Sequence, residues 1–372
     1  MLRDKVRTES FRRAIFETVQ KGDVVLDLGC GTGILSYFSL QAGAEKVYAI
    51  ETGNIIEIAK ELAVKNGFQD RIVFIKDLST RVDLPEKADV LVSEIIGNVG
   101  LEEGILEFIK DARERFLKPQ GKMIPRSLEI LAAPVELAKE YEKLSIWKEG
   151  LYGIDYSPVQ RFAQNNLYSV SLHIENLLAP PALVAQMDLS ETKASYLGSG
   201  VSFAVTRPGM LHGLGGWFRA ELAKDLWITN QPPNRTPSWA HMFFPFETCI
   251  PVKEGDCINV SISTFNGDAW KWEVEVHEKA DFSHGPAKYK AKMAQSSFFG
   301  EPLTKEMFKK FSSEYAPKLS RRGEAELFFL NHIDSKKKVG EIEAELLKRF
   351  PDFFRGSKDA AEFVREMAAK CS

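Results

Sequence analysis

A chain of 372 residues with 44% hydrophobic and 27% charged residues holds enough apolar material for two or three packed cores and too much for a disordered chain. Its formal net charge of −3 and isoelectric point near 6.2 offer no general electrostatic footing for nucleic acid, so no direct nucleic-acid partner is expected. Four scattered cysteines exclude a disulfide scaffold and a metal knot, and no apolar run is long enough to cross a bilayer or serve as a signal-peptide core. The expectation is a soluble cytoplasmic protein with no membrane partner and no metal.

Residues 4–20 read as an amphipathic helix with Phe11, Ala14, Ile15 and Val19 on one side and Arg3, Arg7, Arg12 and Arg13 elsewhere. Val24–Leu28 is a β-branched run of the kind that forms a buried parallel strand, and it passes directly into Gly29-Cys30-Gly31-Thr32-Gly33. Ile34–Ala42 reads as a helix, residues 47–50 as the next strand, and Glu51 falls at that strand's end. Glycines let a backbone turn tightly against a ligand, and a carboxylate at the second strand's tip can accept both hydroxyls of a ribose. A nucleoside ligand is therefore expected. The triplet lacks the wider gap of the dinucleotide fingerprint, and Asp27, two residues ahead of the first glycine, suits S-adenosylmethionine better than a nicotinamide dinucleotide. By itself such a triplet also makes an ordinary tight turn.

Ile72–Ile75 reads as the third strand, with Asp77 past its end where an adenine is expected. Residues 88–94 form a fourth, ending in the carboxylate of Glu94. After a glycine-containing excursion, Glu102 and Glu103 are expected to open a helix running to Leu117, which Pro119-Gln120-Gly121 would close. Glu94 and Glu103 thus flank one loop, and two converging carboxylates can hold the edges of a planar guanidinium in forked, charge-assisted hydrogen bonds. Acids at these places equally suit a strand end and a first helical turn. Glu102 is expected to project away from the pair.

Beyond residue 125 the pattern alternates with period two, in runs 201–205, 215–218, 258–262 and 270–276, with turns at 206–209 and 253–256, as antiparallel strands do. Trp217, Trp227 and Trp270 read as packing residues within them. Residues 277–302, charged and carrying Gly285-Pro286 and Gly300-Glu301-Pro302, read as a linker. Helical patterns follow at 305–315, 324–332 and 339–350, and Ser357 can cap a last helix over 359–370. Leu327, Phe328, Leu330, Ile342 and Leu346 would supply a small core.

Several of these stretches, in this order, resemble the protein arginine methyltransferases, in a bacterial-type form with an added C-terminal helical domain. The resemblance is carried by residues 1–8, by 24–51, by Ser93-Glu94-Ile95-Ile96-Gly97 through Glu103, by 119–125, by 147–157 and by Pro237-Ser238-Trp239. It implies an α/β fold: a Rossmann-like S-adenosylmethionine-binding domain over 1–125, an antiparallel β-barrel over 126–280, and a C-terminal helical domain over 303–372, with a winged helix as one option. A dimerisation arm at about 155–186 would build a ring-like homodimer. It further implies that Arg7 pairs with the donor's carboxylate, that Gly29 and Gly31 lie against the donor, with Asp27 also a donor-binding residue, and that Glu51 holds the ribose. Adenine recognition would rest on Asp77, Leu78 and the place of Thr80, where the family carries glutamate. Glu94 and Glu103 would grip the arginine of a protein or peptide substrate, with Asp4, Ser238 and Trp239 on the substrate side. Ser238 replaces the family's histidine, the usual partner of the aspartate matched by Asp4. A small-amine or free-guanidino acceptor, or a non-catalytic peptide scaffold, stays open as an alternative. The run 317–350 bears a weaker resemblance to the peptide-chaperone domain of pyrroloquinoline-quinone biosynthesis, which implies a peptide-presenting role.

Overall fold

Helix α1 (Lys5–Thr18) is followed by β1 (Val24–Leu28), α2 (Ile34–Ala42), β2 (Lys46–Ile50), α3 (Ile55–Lys65), β3 (Ile72–Ile75), β4 (Ala88–Ser93), α4 (Ile105–Phe116) and β5 (Leu117–Ile124). In the computed structural model, which describes residues 1–192, 196–233, 236–265, 267, 269–279, 288–333 and 336–371, these strands pair in parallel in the order β3-β2-β1-β4-β5. β1 is buried along its whole length and β4 at all but one position, as strands covered on both faces must be. The strand order changes direction at β1 and β4, so their carboxyl ends open the crevice where ligands of such sheets bind. α1 buries Phe11, Ala14 and Ile15 against this unit. One expectation needs correction here. Pro119-Gln120-Gly121 lies inside β5 rather than ending a helix: partners jump from Leu117 to Lys122 while β4 advances from Ala88 to Val90, so the tripeptide bulges out of the ladder.

The strands that follow form two antiparallel sheets, one of six strands and one of four. The larger contains Ser127–Val135, Gly209–Ala223 and His241–Val252 at its centre, and the smaller Tyr196–Ala204, Cys257–Phe265, Ala269–His277 and Tyr289–Ser296. The sheets meet face to face through aromatic rings, with Phe244 of the larger edge-on to Trp270 and Trp272 of the smaller at 5.4 and 5.6 Å. Among the described residues no hydrogen-bonded ladder closes them into the expected barrel. Trp217 and Trp270 are packed as expected, whereas Trp227 is 36% exposed beneath the guanidinium of Arg219. Tyr289–Ser296 lies in the stretch read as a linker and is a full edge strand on Ala269–His277. Within that stretch, residues 280–287 lie outside the described residues.

The segment 155–186, expected as a dimerisation arm, contributes strands to the chain's own larger sheet. Tyr168–Val170 and Ala182–Asp188 are the two edge strands of the larger sheet, and Leu178 and Val184 are buried within the chain itself. What projects is the hairpin Gly150–Leu151 and Ile154–Asp155 between helices Ala138–Ser145 and Ser157–Gln164, with Tyr152 at its tip 99% exposed.

Contacts divide the chain into two compact units, Met1–Pro302 and Leu303–Ser372. The second holds helices Lys305–Lys310, Arg321–Leu330, Val339–Arg349 and Ser357–Cys371, and among its described residues there is no strand to form the wing of a winged helix. Its core comprises Ala325, Phe329, Ile342, Leu346, Phe350, Phe354, Phe363, Val364 and Met367. Ile342 and Leu346 are inside as expected, while Leu327 and Leu330 face water at 46% exposure each, because the buried stripe of that helix runs through Ala325 and Phe329. No helix among the described residues is long and apolar enough to cross a membrane.

Candidate active site

The carboxyl ends of β1, β2, β3 and β4 surround a cleft of about 330 Å³ lined by Leu28, Gly29, Glu51, Asp77, Glu94 and Glu103, among others. Its floor is a consequence of the glycine turn. Gly29 and Gly31 hold φ of 76° and 54°, a region open to glycine at little cost, and a Cβ on Gly29 would come within 3.1 Å of the Ile95 side chain. Glu51, at the tip of β2, accepts from the Gly31 amide at 3.0 Å with one oxygen and from the Gly53 amide at 2.7 Å with the other. Oε1 also accepts the Thr52 hydroxyl at 3.5 Å, while Oε2 retains a lone pair for a hydroxyl. Asp27 is fully buried under the turn; the Ser36 hydroxyl donates to its Oδ2 at 2.6 Å, while Oδ1 has no partner. Burial, opposed by the Ser36 hydrogen bonds and reinforced by the charge of Glu51, pushes the Asp27 carboxyl up to about 7. An orphaned acid beneath a backbone cradle, with a second acid at the ribose position, fits S-adenosylmethionine, which brings an ammonium group and a ribose to such a site.

Further out, Asp77 and Leu78 line the cleft, and the Leu78 amide donates to the Asp77 carboxylate at 2.7 Å. Thr80 does not line it: that residue is exposed on a single turn, and its buried neighbour Ser79 faces the cleft instead. Thr52, Ile95 and Phe108 also line it. Phe108 was not legible as a site residue, since an apolar residue in the first turns of a helix reads as core.

At the mouth, Glu94 follows β4 and is joined by Arg7 of α1, whose guanidinium forms an ion pair with Glu94 Oε2 and lies over the Trp239 ring, 4.3 Å from its centroid. Burial, partly offset by Asp4 and Glu103, pushes Arg7 down to about 10, so it stays cationic at neutral pH. Glu94 Oε1 is buried without a partner. Asp4 caps α1 by accepting the Arg7 amide at 3.1 Å, and its second oxygen accepts the Ser238 amide at 3.3 Å. Asp4 therefore still reaches the loop that carries Ser238, but through backbone. Trp239 donates from its indole to the Ile96 carbonyl at 2.7 Å, tying the loop after β4 to the β-unit. Glu103 has a φ of 53°, unusual for a residue with a side chain, and it lines the cleft opposite Glu94 across that loop. Glu102 does not project away. Its carboxylate is folded into the loop, accepting from the Val99 and Leu101 amides at 3.1 Å. The expected helix start at Glu102 is also displaced, since α4 begins at Ile105. Among the described residues no group of histidine, cysteine, aspartate or glutamate is arranged to hold a metal ion.

Comparison with known proteins agrees with this geometry. Residues 127–278 match the arginine methyltransferase oligomerization subdomain, and residues 8–128 match the ribosomal protein L11 methyltransferase family. The chain is 32% identical to protein arginine N-methyltransferase 1 of Schizosaccharomyces pombe over 71% of its own length and 80% of that protein. It is 34% identical to probable protein arginine N-methyltransferase 6 of Arabidopsis thaliana over 60% of its own length and 53% of the relative. The chain thus spans about half the length of some curated relatives it matches. In fold it resembles the Trypanosoma brucei PRMT1 enzyme-prozyme heterotetrameric complex with AdoHcy, with a TM-score of 0.71 at 23% identity, covering 80% of this chain and 96% of that one. With a parallel sheet whose strand ends carry the donor-type cleft, two acids across one loop, and identity of this extent, the chain belongs to the protein arginine methyltransferase family.

Proposed function

We propose that this protein transfers a methyl group from S-adenosylmethionine to a guanidino nitrogen of arginine in a protein or peptide. The observation that carries the reading is that the cleft mouth already seats a guanidinium, that of Arg7, ion-paired with Glu94 and stacked on Trp239. The unpartnered Oε1 of Glu94 can accept a second guanidinium beside it, and Glu103 can take that group's other edge. Two carboxylates near one another repel, and a fixed cation between them favours the ionisation of both.

When bound, S-adenosylmethionine supplies an electrophilic methyl group on a sulfonium. The chain's residues supply placement: Glu51 and the Gly29–Gly33 turn hold the nucleoside end, while Glu94 and Glu103 fix one guanidino nitrogen facing the cleft. As the nitrogen–carbon bond forms and the sulfur–carbon bond breaks, the nitrogen sheds a proton. None of the histidines among the described residues lines the cleft, so in this reading the proton passes to Glu103 at the exposed mouth and on to water.

Substituting Glu94→Gln or Glu103→Gln keeps shape and removes charge, so each should cut transfer to a peptide arginine by roughly a hundredfold or more, about 2.7 kcal/mol of lost transition-state stabilisation, with donor affinity retained. Mass spectrometry of arginine-rich peptides after incubation with enzyme and donor reads the product. Both variants turning over like the parent would sink the clamp, and methylation of small guanidino compounds alone would change the acceptor. A homodimer belongs to the same reading, supported by the exposed hairpin that carries Tyr152 and Ile154. The four unpaired cysteines support a reducing, cytoplasmic location.

A further inference from the structure

The loop between Glu94 and Glu103 has no regular structure of its own from Ile95 to Gly104, yet the proposed clamp requires its two ends to face each other. On one side it is tied to the β-unit. Trp239 donates to the Ile96 carbonyl, Asn230 Nδ2 donates to the Asn98 carbonyl at 2.8 Å, and Asn98 Oδ1 accepts from the Ala240 amide at 2.9 Å. These ties stop at Asn98. From Val99 to Glu103 the loop is held by packing, with Val99 and Leu101 buried in the core, and by hydrogen bonds from within: the Gly100 amide donates to the Gly97 carbonyl at 3.1 Å, and Glu102 has both oxygens 3.1 Å from the Val99 amide, one of them also accepting from Leu101.

The surrounding residues are shaped for that carboxylate. A Cβ on Gly97 would lie 2.2 Å from Glu102 Oε2 and 2.6 Å from the Glu102 Cβ, so glycine is required at 97 for space. Gly97 and Glu102 are thus halves of one fit. Burial raises the Glu102 carboxyl while the amides that donate to it lower it, as expected of an acid committed to its own loop. Directly after it come two left-handed residues, Glu103 at φ 53° and Gly104 at φ 69°, which turn the chain so that Glu103 lines the cleft while Glu102 faces inward. A side chain in the left-handed region carries a conformational cost, and an anchor at the preceding residue is what can hold it there.

We propose that Glu102 is the positioning residue of this loop, fixing the distance and direction of Glu103 relative to Glu94 and hence the seat for the substrate guanidinium. Its side chain is not among those that line the cleft. The inference rests on the methyltransferase reading for its functional consequence and on hydrogen bonding alone for its structural content, and the two are tested separately.

In the full chain, Glu102→Ala should lose hydrogen-exchange protection at the Val99 and Leu101 amides. It should also lower kcat for a peptide arginine at least tenfold, with affinity for S-adenosylhomocysteine within twofold of the parent. Glu102→Gln keeps one accepting oxygen and should fall between Ala and parent in both readouts. Gly97→Ala, which fills the carboxylate's place from the opposite side, should reproduce the kcat loss. Unchanged protection and unchanged kcat in Glu102→Ala would overturn the proposal, as would a loss of donor affinity equal to the loss of kcat, which would mark general unfolding of the cleft. If the parent itself transfers no methyl to peptides but Glu102→Ala still exposes the two amides, the loop-holding role stands and the function proposed above fails.

Discussion

Asp27 carries a burden that depends on pH. Its native carboxyl titrates near 7, against about 3.9 for an ordinary aspartate, so between those values the folded protein keeps a proton that the unfolded chain has released. By linkage, this group's contribution to stability is full below about pH 4 and falls as pH rises through about 7. Asp27→Asn cannot titrate, and the parent's melting temperature should therefore drop more steeply than the variant's between pH 5 and 8. Parallel melting curves would show that the native carboxyl is not raised. The position of this acid before a glycine turn was legible in the sequence, but its orphaned oxygen was not, since that depends on Ser36 returning nine residues later to satisfy only the other oxygen. Glu102 illustrates the same limit. A pair of adjacent acids before a helix reads as first-turn decoration, and only the fold of residues 97–101 turns one of them inward.

At the scale of elements, what the sequence made legible follows burial and composition. Short runs dominated by apolar and β-branched residues made β1, β2, β3 and β4 readable to within a residue or so, three of them because they are buried and β3, at the sheet edge with Val73 43% exposed, by its Ile-Val-Phe-Ile composition alone. Tyr289–Ser296 was not, because its burial touches only Met293 and Gln295 and its lysines read as linker. The stretch 155–186, expected as an arm, carries leucines of both kinds: Leu172 and Leu178 are buried within the chain outside its edge strands, whereas Leu183, on an edge strand, is 46% exposed. Helix α1 shows how an element can serve packing and site together. Its cap, Asp4, also holds the Ser238 amide, and three residues on Arg7 reaches Glu94. Replacing Asp4→Ala should cost about 1 kcal/mol of stability, as loss of an N-cap does. Because Arg7 would lose its fixed place on Glu94, turnover should fall further than that destabilisation alone explains. Chemical denaturation paired with kinetics checks this, and a variant that loses stability but keeps full kcat would confine Asp4 to capping.

At the scale of the whole molecule, two questions remain for experiment, and the hairpin bears on the first. Tyr152 and Ile154 are exposed at 99% and 55%, an apolar tip that association with a second copy would cover. Analytical ultracentrifugation at micromolar concentration should show a dimer, and Tyr152→Glu with Ile154→Glu should shift it toward monomer. A parent that sediments as a fully active monomer would remove the dimer from the functional reading. The second question is the unit Leu303–Ser372, which has its own core and, beside Leu319 and Leu327, a cleft of about 410 Å³ in which Phe328 and Phe350 present apolar surface and Arg349 stacks on Phe328. If this unit presents a peptide, a chain ending at Pro302 should turn over short arginine peptides nearly as the full chain does. For a long substrate it should show a KM raised roughly tenfold, the equivalent of about 1.4 kcal/mol of remote binding. If the unit only stabilises the remainder, truncation should lower the melting temperature and depress long and short substrates alike. The separation of KM from kcat across the two substrate lengths decides between them, because a remote binding contribution can be lost only by a substrate long enough to have used it.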